Sequence, residues 1–267
     1  MEEARQIRLV DAHCHLEAEE FSGRLDGILA DARAAGVVKL ITAAIVPEQW
    51  EQSAAIAAAH PEVAFAWGVH PWYAREEHLA ALPGLAAARA RGACAIGEIG
   101  LDAKIASPTM ELQRRIFEEQ LRIARGLELP VVLHCRGAFN ELLESLKRVG
   151  APARGGMVHA FSGSAEVAEA CMAYGLRFSM GGALTYRKSN KRDRTLRRIW
   201  PDHFLLETDS PDIPPVQAAG QTNTPANIVH NLAGAANYLG LPEALIAEQT
   251  TRNADRLFSL GLGDGGA

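Results

Sequence analysis

The chain has 267 residues, 48% of them hydrophobic and 22% charged, with a formal net charge of −5. That is ample apolar material for a large core, and it excludes a surface dressed throughout in basic residues for binding long duplexes. The four cysteines, Cys14, Cys94, Cys135 and Cys171, form no C-x-x-C pair, which argues against a disulfide frame or a zinc knuckle and for reduced thiols in a cytoplasmic protein.

The opening residues, MEEARQIRLV, are charged and lack an apolar h-region, so no secretion signal is expected. Lys39 interrupts the best apolar run, GVVKLITAAIV, so no membrane partner is expected either. The first predicted strand, IRLVDAH (7–13), runs into Asp11-Ala12-His13-Cys14-His15. Residues two apart on an extended chain point the same way, so His13 and His15 face one side, within reach of one ion. Cys14, and likewise Cys135 beside His134, should alternate outward and pack under helices. Further strands are expected at 36–45, 63–70, 92–101, 130–135, 155–162, 176–181 and 203–209. Between them lie helical stretches such as 109–128, where Leu112, Ile116, Phe117 and Leu121 recur at helical spacing.

Strands separated by single helices imply parallel pairing and right-handed crossovers. Eight such units point to one (β/α)₈ TIM barrel over 1–267, with no second domain and a frayed tail at about 260–267. An open doubly wound sheet fits less well, because no G-x-G-x-x-G follows the first strand. The run DSPDIPPVQAAGQTNTP (209–225) reads as a long loop after the last strand, placed to serve an active site.

Six polar residues fall at the carboxyl ends of these apolar strands, where barrel enzymes keep their chemistry: His13, His15, Glu98, His134, His159 and Asp209. Buried imidazoles and carboxylates need a partner or a metal to offset desolvation. Six ligands exceed one tetrahedral zinc, so the economical arrangement is two divalent ions bridged by one carboxylate, with zinc, manganese or magnesium all suited. Arg136 could fork a phosphate, His70 could contact substrate, and Trp72 offers a face on which a base could stack. Asp102 is placed to orient a ligand or Arg136. Ser162 is read as the cap of the next helix, while His60, His78, His203 and His230 are read as surface or core residues.

The segment YRKSNKRDRTLRR (186–198) holds seven of the 27 basic residues against one acid. As a helix it would align Arg187, Lys191, Arg194 and Arg198 in one stripe. Arg187, Lys188, Lys191 and Arg192 would lie nearest the catalytic rim, with Arg197 and Arg198 pointing away.

The stretches DAHCHL (11–16), GVHPW (68–72), IGEIGLD (96–102), QRRIFEEQLRIARGLELPVVLHCR (113–136), HAFSGS (159–164) and LLETDSPDIPP (205–215) resemble the TatD family of metal-dependent hydrolases, within the amidohydrolase superfamily. The resemblance implies that His13, His15, Glu98 and Asp209 hold one ion. It implies that Glu98, His134 and His159 hold a second, with Glu98 as the bridge. It further implies a phosphodiesterase, a 3′-5′ exodeoxyribonuclease on single-stranded DNA, in which a metal-bound hydroxide attacks and Asp209 accepts a proton. RNA and transfer RNA are further candidate substrates. A deacylase or amidohydrolase acting on an ester or amide, such as D-aminoacyl-tRNA, would use the same centre, and a non-catalytic metal-bound scaffold is a third reading. A monomer or small homo-oligomer is expected. Glu17 stands where many members carry aspartate, and Ala103 where tyrosine is common; both departures bear on substrate contacts.

Overall fold

The structure, a computed structural model, describes residues 7–263. Eight strands, β1 (Leu9–Cys14), β2 (Val37–Ala44), β3 (Val63–Trp67), β4 (Ala95–Asp102), β5 (Val131–Arg136), β6 (Gly156–Val158), β7 (Leu176–Met180) and β8 (Phe204–Leu206), pair in parallel in chain order. Around them run α1 (Leu25–Ala34), α2 (Trp50–Ala59), α3 (Glu76–Ala81), α4 (Met110–Gly126), α5 (Phe139–Val149), α6 (Ala165–Met172), α7 (Asn190–Ile199), α8 (Ile228–Leu239) and α9 (Glu243–Phe258). This is the expected (β/α)₈ TIM barrel. No helix among the described residues is long and apolar enough to cross a membrane.

Two apolar layers follow from the strand pattern. Leu9, Cys14, Ile96, Leu133 and Cys135 pack outward under the helices, so both cysteines face away from the barrel interior. Val10, Ala12, Ile41, Ala66, Ala95, Val132 and Leu205 fill that interior, and Leu257 and Phe258 of α9 plug its base. Leu260 and Leu262 pack against the same plug, and the Leu262 amide donates to Asp255 Oδ1 at 3.2 Å. Leu260 and Leu262 are thus held at the base of the barrel; 264–267 lie outside the described residues.

Several expected boundaries shift where the chain turns from sheet to site. β3 stops at Trp67, β6 at Val158 and β8 at Leu206, so His70, His159 and Asp209 lie beyond their strands rather than within them. The cap of α6 is Ser164, which accepts the Val167 amide at 3.4 Å, and not Ser162. Arg187 and Lys188 precede α7, so the basic stripe begins at Lys191.

Strict alternation also fails where it matters. Val10, Ala12 and His13 all turn inward, whereas Cys14 packs outward, and a register irregularity falls between Asp11 and Cys14. A second irregularity lies between Ile96 and Ile99, around Glu98. Such local offsets re-aim side chains at barrel rims.

β8 is short, and the seam between it and β1 is fastened past its end. The Asp209 amide donates to the His13 carbonyl at 2.9 Å, and the His15 amide to the Ser210 carbonyl at 2.8 Å. The buried Asp11 carboxylate clasps the same place, taking the Thr208 amide at 2.8 Å and the Thr208 hydroxyl at 2.5 Å.

β4 and β5 approach so closely that a Cβ on Gly100, whose φ is +145°, would sit 1.9 Å from the His134 carbonyl oxygen. Gly100→Ala is expected to destabilise the fold by about 3 kcal/mol through overpacking and backbone strain. Denaturant unfolding checks this; a loss below about 1 kcal/mol would mean that the neighbouring strand can yield.

Candidate metal centre

Glu98 is 2% exposed and lies at the middle of the barrel mouth, with each oxygen turned to a different set of imidazoles. Oε2 lies 3.3 Å from His13 Nε2 and 3.5 Å from His15 Nε2. Oε1 lies 2.6 Å from His159 Nε2, 3.0 Å from His134 Nδ1 and 3.1 Å from His70 Nε2. Asp209, in the left-handed region at φ 57°, brings Oδ1 to 3.4 Å from His13 Nε2 and 3.5 Å from His15 Nε2. All six residues singled out at the strand ends therefore meet at one place. Atoms able to ligate a metal form overlapping sets, His13/His15/Asp209, His13/Glu98/His159 and His70/Glu98/His134, each lying within 4.8 Å.

Two properties of this cluster fit divalent ions. The His13 ring is fully buried, yet neither nitrogen makes a hydrogen bond, an expensive arrangement unless a cation takes a lone pair. Burial disfavours charge on these groups, yet they charge one another. Burial opposes a charged His13, but Glu98 and Asp209 raise its pKa well above the usual imidazole range. Burial would lift Glu98, yet His159, His70 and His13 hold it well below the usual carboxylate range. Asp209 is lowered in the same way, against burial, by His13 and His15. A site that so favours cations beside its carboxylates can exchange protons for metal.

Supporting groups fix the imidazoles. Asp102 Oδ2 lies 3.1 Å from His134 Nε2, which leaves Nδ1 facing Glu98, an arrangement able to hold the ring's orientation. The His15 Nδ1 meets the Ala43 carbonyl at 2.9 Å, turning Nε2 to the centre. His70 Nδ1 accepts the Trp72 amide at 3.1 Å, so its proton sits on Nε2, directed at Glu98. Burial lowers the His70 pKa against the pull of Glu98, and a neutral donor is what that position needs. His70 thus reaches into the centre itself, closer than a contact to substrate alone.

Other supports gave no signal in the sequence. Glu207 is buried; it accepts the Ala160 amide at 2.7 Å and the Ser179 hydroxyl, lies 4.0 Å from His159 Nδ1, and burial pushes its pKa up to about 7. Gln113 and Gln120, on one face of α4, each clasp main-chain groups, at Asp102 and Val69 respectively. A glutamine two helical turns from its twin is a weak sign, since such spacing is equally common on solvated faces.

The centre floors a cavity of about 850 Å³ whose wall includes Trp72, Arg136, Lys191 and Arg192. Arg136 is half exposed, 3.9 Å from Asp102. The far half of the basic stripe is neutralised: Arg194 and Arg198 pair with Glu166 and Glu169 of α6. Glu17 and Ala103 do not line the cavity, and Glu17 is tied to the Thr42 hydroxyl at 2.6 Å. His60, His78, His203 and His230 stand apart from the cavity wall, as expected.

Comparison with known proteins agrees with this geometry. The model of the TatD related DNase family matches residues 10–259. The chain is 34% identical to YjjV of Escherichia coli K12, an uncharacterized metal-dependent hydrolase, over 95% of this chain and 98% of that one. The crystal structure of YjjV superposes with a TM-score of 0.88 at 33% identity, covering 95% of this chain and 98% of that one. A relative from Erwinia tasmaniensis named 3′-5′ ssDNA/RNA exonuclease TatD is 32% identical over 94% of this chain and 100% of its own length. With the barrel, the convergent strand ends and these full-length likenesses in agreement, the chain belongs to the TatD family of metal-dependent hydrolases.

Proposed function

We propose that this hydrolase is a phosphodiesterase that removes nucleotides from the 3′ end of single-stranded DNA. The observation that carries it is the divided Glu98 carboxylate at the floor of a cavity walled by Arg136, Lys191 and Arg192. His13, His15, Glu98 and Asp209 would hold one divalent ion, and Glu98, His134 and His159 a second. Zinc, manganese and magnesium are all candidates, with the imidazole-rich shell favouring the first two. Ions bound there would acidify a water and offset the charge that builds on a phosphodiester during displacement.

The chain's own side chains supply the rest. Asp209 lies beside His13, His15 and His159 and is the candidate proton acceptor. Arg136 is placed to take a phosphate oxygen pair, and Lys191 and Arg192 to meet the neighbouring backbone charge. Trp72, 45% exposed at the wall, gives a face for an unpaired base. The Erwinia relative's name, an exonuclease on single-stranded DNA and RNA, supports the same class of substrate.

The test uses a 5′-labelled single-stranded oligonucleotide beside an aminoacyl ester, each with metal-replete and chelated protein. Stepwise shortening from the 3′ end, lost on chelation and restored by Mn²⁺ or Mg²⁺, is expected. Cleavage of the ester with the oligonucleotide left intact would overturn the proposal in favour of a deacylase.

A further inference from the structure

Trp72 stands in the cavity wall, where an aromatic ring reads first as a stacking surface. Its indole does something else as well. Nε1 donates to Asp102 Oδ2 at 2.6 Å, and the same oxygen faces His134 Nε2 at 3.1 Å. Asp102 Oδ1 accepts the Lys104 amide at 2.7 Å. The buried carboxylate is therefore aimed by two donors, one on each oxygen, and the aim decides which His134 nitrogen faces Glu98. The Trp72 main chain is itself tied down, since its amide donates to His70 Nδ1. A competing donor is close by: Arg136 Nη1 lies 3.9 Å from the same Oδ2. Without the indole, the guanidinium is close enough to compete with His134 for that oxygen.

We propose that Trp72 is a positioning residue for the second ion: through Asp102 its indole N–H holds His134 with Nδ1 toward Glu98. The inference rests on the reading of Glu98, His134 and His159 as holders of that ion. Groups that orient an imidazole ligand in this way commonly contribute tenfold to a hundredfold in metal affinity. Trp72 then has two separable duties, a ring face turned to the cavity and an edge turned to the metal centre. Phenylalanine keeps the first and loses the second.

The experiment titrates Mn²⁺ into stripped full-length protein and reads bound and free ion by electron paramagnetic resonance. The step that His134→Ala abolishes is the second ion's. Trp72→Phe is expected to weaken that step by about 10- to 100-fold and to leave the other step unchanged. In an Asp102→Ala background, Trp72→Phe should change the same step less than about twofold, because the path through the carboxylate is already cut. Equal affinity in Trp72→Phe and wild type would overturn the role of Trp72 alone. So would an equal loss in both backgrounds, which a merely structural effect of the ring would give. Wild-type protein with no step sensitive to His134→Ala would overturn the two-ion reading, and this inference with it.

Discussion

Glu98→Gln is expected to empty the metal centre and lower turnover by on the order of 10⁴-fold. Five imidazole nitrogens surround the carboxylate within 3.5 Å, two at Oε2 and three at Oε1. Glutamine replaces one of those oxygens by an NH₂ group, which turns donors toward nitrogens that must offer lone pairs to an ion. It also removes the one negative charge shared by both histidine sets. Elemental analysis should find less than half of the wild-type metal content, with the fold intact by circular dichroism. Two retained ions and turnover within tenfold of wild type would show that Glu98 is not the bridge.

Asp209→Asn is the second large effect, and it separates chemistry from binding. Asparagine keeps the size and one oxygen at the left-handed turn after β8, but it cannot accept a proton at neutral pH. Turnover should fall by about 10²- to 10⁴-fold, the range of a lost general base, while the oligonucleotide KM changes only a few-fold. An ion held by Glu98, His134 and His159, as proposed, should remain. Near-normal turnover with both ions bound would remove Asp209 from the proton-transfer step and leave it as a ligand only.

Much of this centre was legible because barrel topology does the geometric work. Once eight apolar runs alternate with helices, a polar residue ending a run must lie at one rim, and His13, His15, Glu98, His134, His159 and Asp209 do so. The manner of their convergence was not legible. Simple alternation makes His13 and His15 face one way, but the strand reaches that result through a register irregularity, with Cys14 turned outward between them. Asp11 looked like a neighbour of the histidines and is instead a clasp on Thr208, a pairing across almost the whole chain. Glu207, Gln113 and Gln120 escaped notice for a related reason: each satisfies main-chain groups on other elements, and nothing local marks such a partner. His70 was read from a loop motif that fixes a turn, not a destination. Spacing alone aligns the basic run as one stripe, but the acidic partners of Arg194 and Arg198, Glu166 and Glu169, belong to a different helix.

The clasp at the β1–β8 seam also makes metal content a record of assembly. Glu98, His134 and His159 come from β4, β5 and the end of β6, neighbours that can pair early in a growing chain. His13 and His15 meet Asp209 from nearly two hundred residues away, at the seam where Asp11 holds Thr208. If the centre holds two ions as proposed, a chain cut before β8 lacks Asp209 and would be expected to bind fewer. The metal counted per chain would then report whether the ring has shut.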